Sequence, residues 1–266
     1  MLGALIGDIV GSIYEWDNHR SKVFPLFGPG CDYTDDSVCT VALADALLSG
    51  ADPSRHLQAW CRRHPGRGYG GMFARWIDEP EPVAYNSFGN GAAMRVSAAG
   101  WLADEAPAVA ALAARITAIT HDHPEGLKGA RATAHAIFRA RQGADADQIQ
   151  DEIVTRFGYD LSRTVDEIRP GYQFNETCQQ TVPEALICAL SATGFEDAIR
   201  NAISIGGDSD TVAAIAGSVA EPLFGIPREI GAKARTYLPA DMLEVLGRFE
   251  GVTRRGFPSR SSGIIT

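Results

Sequence analysis

Apolar residues along the chain recur mainly at three- and four-residue intervals, which predicts helices over Leu2 to Glu15, Ser37 to Leu48, Ala106 to Ile119, Gly126 to Arg141 and Thr211 to Ala220. Each segment is amphipathic or uniformly small and apolar. Ser49-Gly50 and Gln142-Gly143 supply helix-closing glycines, and Asp197 and Pro239 stand where later helices would start. No run alternates apolar and polar residues as a half-buried strand would. Breakers gather over Pro65 to Gly71, Asp78 to Gly91 and Gly158 to Val182, the last containing Arg169-Pro170-Gly171-Tyr172-Gln173-Phe174. Long loops in a compact domain are usually functional or disordered, so these three segments draw attention. Thr253 to Thr266, with Arg254, Arg255, Arg260 and several serines, reads as a loosely held end.

Composition narrows the picture. A chain of 266 residues, 45% of them hydrophobic, is long enough for one large core, and we read one domain over residues 1–252 with a tail over 253–266. Lys and Arg number 24 against 33 Asp and Glu, a net charge of −9. That balance opposes delocalised attraction to nucleic acid or an anionic membrane, so a phosphate ligand would need a local counter-charge. The five cysteines, Cys31, Cys39, Cys61, Cys178 and Cys188, form no CxxC pair and are odd in number, which suits reduced thiols and a cytoplasmic location. Met1 to Ile13 lacks a basic leader and carries Asp8, a poor match to a signal peptide. No stretch approaches the roughly 20 apolar residues of a membrane helix.

Chemistry concentrates in a few short segments. Gly3, Gly7, Gly11 and Glu15 recur every four residues and would form one stripe on a helix, implying close approach by another helix or a ligand. Glu15 would end that stripe either in solvent or in a cleft. Thr34-Asp35-Asp36 precedes an apolar helix, where it serves as an N-cap with a first turn complementing the helix dipole, or as a set of hard oxygen ligands. Asp208-Ser209-Asp210-Thr211 repeats both options after Gly206-Gly207, with no dinucleotide-type GxGxxG pattern. If the two helix starts converge, four carboxylates would nearly balance two divalent cations. Asn86 to Arg95 is a glycine-rich turn feeding a helix, which reads as an ordinary turn or as backbone amides arranged around an anion. His121-Asp122-His123 lacks the further ligands of a zinc site; these histidines would contact a ligand phosphate or ribose, or cap a helix C-terminus.

Taken together, GDIVGSIYE, TDDS, SFGNGAAMR, THDHP and GGDSDTVAAIAGS resemble the motif series of the ADP-ribosylglycohydrolase family, of the dinitrogenase-reductase-activating glycohydrolase type, over about residues 1 to 225. The resemblance implies an all-α, compact orthogonal multi-helix bundle with two Mg²⁺ or Mn²⁺ ions. Carried over residue by residue, it makes Thr34, Asp35, Asp36, Asp208, Asp210 and Thr211 the metal ligands, and Glu15, with Asp35 and Asp36, the catalytic set. Glu15 would act as acid, base or gate. Ser87, Gly89, Asn90 and Gly91 would wrap the diphosphate and distal ribose, and His121 would contact a phosphate. Phe88 stands where some relatives have tyrosine, so a hydroxyl contact there would be missing.

The implied reaction is hydrolysis at the anomeric carbon of the distal ribose, through an oxocarbenium-like state, releasing ADP-ribose from a modified protein, small molecule or nucleic acid. A non-catalytic ADP-ribose-binding regulator and a dinuclear-metal phosphohydrolase are the alternatives. The loops Pro65 to Gly71 and Gly158 to Val182 are expected to select the leaving group. Tyr172 and Phe174 are candidates either for stacking on the adenine or for anchoring the loop.

Overall fold

The computed structural model describes residues 1–256, with side chains through residue 253. The part of the expected tail from residue 257 lies outside the described residues. Along the chain run α1 (Leu2–Gly11), α2 (Asp35–Ser49), α3 (Pro53–Arg63), α4 (Gly71–Asp78), α5 (Gly91–Met94), α6 (Ser97–Trp101), α7 (Ala106–Thr117) and α8 (Pro124–Arg141). Then come α9 (Ala146–Phe157), α10 (Val165–Ile168), α11 (Cys178–Leu190), α12 (Phe195–Ser204), α13 (Ser209–Phe224), α14 (Arg228–Arg235) and α15 (Ala240–Gly256). Among the described residues there is no strand, and a single isolated bridge joins Gly89 to Thr177. The fold is all-α. None of these helices is long and apolar enough to cross a membrane.

Local chemistry sets most of the ends. Thr34 caps α2 by accepting from the Asp36 amide, and Gly50, at φ 70°, closes it. Asp145 and Gln148 form a reciprocal capping box on α9. Asp197 lies inside the first turn of α12 rather than before it, and its carboxylate accepts from the Thr193 amide and hydroxyl just upstream. The expected loop over Gly158 to Val182 contains α10 and the first turn of α11. Pro183 sits inside α11, and the hydrogen bond it cannot donate would have gone to Gln179, an exposed residue whose carbonyl can turn to water. Residues 253–256 continue α15.

Two helices form the centre. Every residue of α1 is buried, as are Ser209 to Ala220 of α13. They cross almost backbone to backbone. A Cβ added at Gly3 would stand 2.2 Å from the Gly217 carbonyl oxygen, at Gly7 2.0 Å from that of Ala213, and at Gly11 2.4 Å from the Asp210 Cα. The glycine stripe is therefore a packing surface, and it fixes the start of α13 against the end of α1. Glu15 does not share that stripe. The helix ends at Gly11, where the Ser12 hydroxyl donates to the Ile9 carbonyl and the Tyr14 amide to Gly11, so the chain turns away before Glu15.

Candidate functional site

The first turns of α2 and α13 meet beside the end of α1, and a cavity of about 550 Å³ opens there. Its acid end is lined by Glu15, Asp35, Asp36, Asp208, Asp210 and Thr211. Oxygen atoms of Glu15, Asp208 and Asp210 lie within 4.8 Å of one another. The Thr211 hydroxyl donates to Asp36 Oδ2 at 3.2 Å, tying the two acid clusters together. Behind them stands Asp8, which the sequence offered only as a flaw in an apolar run. Its buried carboxylate accepts from the Thr34 amide and hydroxyl at 3.0 and 2.6 Å, from the Ser37 amide at 3.0 Å and from the Ser37 hydroxyl. One carboxylate on α1 thus holds the start of α2 in place.

Crowding and burial raise the proton affinity of this end. Burial, then the Asp210 charge, pushes Glu15 up to about 7. Asp208 is raised to about 6, first by burial, with hydrogen bonds from Asp210 and Asn90 opposing. Asp35, Asp36 and Asp210 sit well above the ordinary carboxylate range, chiefly through burial and then through their carboxylate neighbours. Asp36 Oδ1 is buried and has no hydrogen-bond partner. An all-oxygen donor set with an orphaned carboxylate oxygen and mutually repelling charges fits a hard divalent cation.

The other end is built from loops. Ser87, Phe88, Gly89, Asn90 and Gly91 line it together with Tyr85, Arg95 and His121. The Asn90 side chain joins the two ends by donating to Asp208 Oδ2 at 2.6 Å. Of the two readings of this loop, the ordinary turn accounts for several of its amides, which are spent within the protein. Ser87 N donates to the Thr120 carbonyl, Gly89 N to the Ser87 hydroxyl and Asn90 N to the Glu176 carbonyl. The helix that follows, α5, is a single turn. Positive charge comes instead from Arg95, buried to 1% exposure, whose guanidinium donates to the Thr120 hydroxyl and to His121 Nδ1 at 3.0 Å. Burial and that guanidinium hold His121 well below the usual imidazole range, so it is neutral.

Of the site residues expected from sequence, all but Thr34 line this one cavity. Thr34 acts beside it, as the α2 cap and as a donor to Asp8. His123 caps the start of α8, not the end of a helix, by accepting from the Glu125 amide. Tyr172 is not placed to stack on a ligand: it is buried against Gly207, where a Cβ would stand 2.5 Å from its ring, and it anchors the loop. Phe174 lies outside the cavity lining and stacks on Trp16 at 5.3 Å. The exposed aromatic that does line the cavity is Phe88. Asp8 and Arg95 are the functional positions missed by residue type and spacing. An aspartate in an apolar helix and an arginine closing the SFGNGAAMR segment were the available signals.

The family model for ADP-ribosylglycohydrolase matches residues 1–253. The chain is 26% identical, over an alignment 330 positions long, to the ADP-ribosylhydrolase ARH3 of Homo sapiens, covering 91% of this chain and 90% of that one. It is 24% identical, over an alignment 274 positions long, to the ADP-ribosylarginine hydrolase Tri1 of Pseudomonas putida, covering 85% and 70%. A solved ADP-ribosylglycohydrolase-related protein complex superposes with a TM-score of 0.72 at 23% identity, over 96% of this chain and 97% of that one, which shows a common fold. With the motif series in order along it, the chain belongs to the ADP-ribosylglycohydrolase family.

Proposed function

We propose that this protein is a divalent-metal-dependent hydrolase that releases ADP-ribose from a modified target by cleaving the bond at the anomeric carbon of the distal ribose. The observation that carries the reading is the polarity of one cavity, with clustered carboxylates at one end and a buried guanidinium with a neutral imidazole at the other. A ligand with a diphosphate in its middle and a reactive ribose at one terminus matches that order. Asp35, Asp36, Asp208, Asp210 and Thr211, with Thr34, would hold two Mg²⁺ or Mn²⁺ ions. When bound, such ions would supply the positive charge that orients ribose hydroxyls and acidifies water. Glu15, which burial and the Asp210 charge raise to about 7 before any cation offsets that charge, stands beside Asp208 and Asp210 where it can exchange a proton with the leaving group or the attacking water. His121 and the Ser87 to Gly91 loop would hold the diphosphate and the ribose attached to it, and Phe88 presents a ring for the adenine. The names of the two relatives, one acting on ADP-ribosylarginine, support the substrate kind. The test is a panel of ADP-ribosylated arginine, serine and DNA, assayed for free ADP-ribose with Mg²⁺, with Mn²⁺ and with chelator. Metal-dependent release from at least one conjugate is expected. ADP-ribose binding in calorimetry without any release would make the protein a binding module instead.

A further inference from the structure

Arg95 is the single arginine or lysine lining the cavity, among the described residues, and it has no carboxylate partner there. Its guanidinium reaches the Thr120 hydroxyl and His121 Nδ1, while its Nε is buried without a partner. A buried charge is costly unless it is paired, so a buried cation held only by neutral groups beside an open cavity is set up for an anion. Its second effect is on the imidazole. A guanidinium can only donate, so Nδ1 must be an acceptor, and the Thr120 hydroxyl, itself receiving from Arg95, lies 2.8 Å from the same nitrogen with its proton free to point there. The one ring proton is then on Nε2. That nitrogen faces the loop, 3.2 Å from where a Cβ would stand on Gly91 and 3.4 Å from one on Gly89. Gly126 leaves no room behind the ring, since a Cβ there would meet His121 Cβ at 3.2 Å and the Ser87 carbonyl at 2.8 Å.

We infer that Arg95 is a positioning residue for the diphosphate: it locks His121 as the neutral tautomer with the proton on Nε2, aimed at the anion, and contributes the cavity's counter-charge from behind. The inference rests on the ADP-ribose reading for the identity of the anion, but not for the tautomer. A lone imidazole near its ordinary pKa would present Nε2 as either a donor or a bare lone pair, depending on tautomer and pH. Arg95 removes that ambiguity. The other titratable group packed on the ring is Tyr85, whose ring centroid is 6.2 Å away and whose own pKa is raised by burial, so it stays a neutral phenol.

Two measurements test this. Nitrogen-15 NMR of the metal-free protein, with His121 assigned by an H121N sample, is expected to show a protonated Nε2 and an unprotonated Nδ1, unchanged across about pH 6 to 8. A proton on Nδ1, or titration within that range, overturns the inference whatever the protein's activity. In calorimetry with ADP-ribose, Arg95→Met is expected to weaken binding by about 10- to 100-fold at pH 8. Arg95→Lys, which keeps a cationic donor to Nδ1, is expected to bind more tightly than Arg95→Met at pH 8. Wild-type affinity in Arg95→Met overturns the inference; should that variant not fold, the NMR result and Arg95→Lys still decide. If wild type shows the Nε2 tautomer and binds no ADP-ribose, the functional reading fails and the Arg95–His121 lock stands.

Discussion

At the acid end of the cavity the carboxylates of two clusters ride on the first turns of long helices, α2, tied to α1 through Asp8, and α13, pressed against α1 with backbone almost touching backbone. At the loop end, Arg95 and His121 sit on segments with one helical turn or none, held by side-chain hydrogen bonds to Thr120 and to each other. The first arrangement stores electrostatic repulsion in a rigid frame. The second stores an unpaired positive charge in a frame held by side-chain hydrogen bonds rather than by backbone packing. Both are unfavourable for the ligand-free protein and become favourable when an ion of opposite sign arrives, a cation at one end and an anion at the other.

The comparison can be broken most directly at Asp210. If metal binding there supplies several kcal/mol to the reaction, Asp210→Asn should lower kcat on the order of 10³-fold or more. The same variant should melt higher than wild type in chelator at pH 7.5, because one repelling charge is gone. A variant that loses activity and also loses metal-free stability would mean that the acid end is not under repulsion.

Glycine substitutions separate the two frames by a smaller margin. Gly7→Ala forces a methyl group into the Ala213 backbone and should cost about 1–3 kcal/mol in a urea titration. Gly91→Ala meets only the tip of His121 at 3.2 Å, so it should cost well under that and act on KM instead. Equal stability losses would erase the distinction between a backbone-packed end and one held by side chains.

The smallest effect is the pH dependence of the metal-free protein. Glu15 is raised from 4.5 to about 7 and Asp208 from 3.8 to about 6, so between roughly pH 4 and 7 the folded state holds more protons than the unfolded chain. Their stabilising contribution is complete below the unfolded values and is lost as pH rises through the folded ones. Thermal melts in chelator should therefore fall from pH 5 toward pH 7.5, and Mg²⁺ or Mn²⁺ should raise the melting temperature more at pH 7.5 than at pH 5. A cation effect of equal size at both values would count against a carboxylate site that competes with protons.

How much of this was legible depended on whether neighbours in sequence became neighbours in space. The helices around Asp35, Ala106, Pro124 and Ser209 announced themselves through periodicity and caps, and the acid clusters stood out because each occupies consecutive positions. The small residues of α1 and α13 signalled close packing correctly, yet the same periodicity carried α1 one turn too far. Gly11 to Glu15 satisfies the spacing of a helix, but contact with Asp210 and the Ser12 turn end it earlier. The breaker segment Gly158 to Val182 ran too far in the opposite sense, since α11 already begins at Cys178, and it continues through Pro183 because the freed carbonyl belongs to exposed Gln179. Tyr172 stayed open between ligand platform and loop anchor because its loop could not be seen folding over Gly207.

The sequence by itself determined that the chain is helical, that it carries two hard-oxygen clusters at helix starts, and that its motif order is that of one family. Those properties depend on short-range patterns. Tertiary structure decided that Asp8 would bind the α2 start to α1, that Glu15 would leave its helix to join Asp208 and Asp210, and that Arg95 would reach His121 across 26 residues. Each of these is a long-range hydrogen bond or charge contact between side chains whose types alone are common, and only the packing of α1 on α13 and the closing of the loops select those partners.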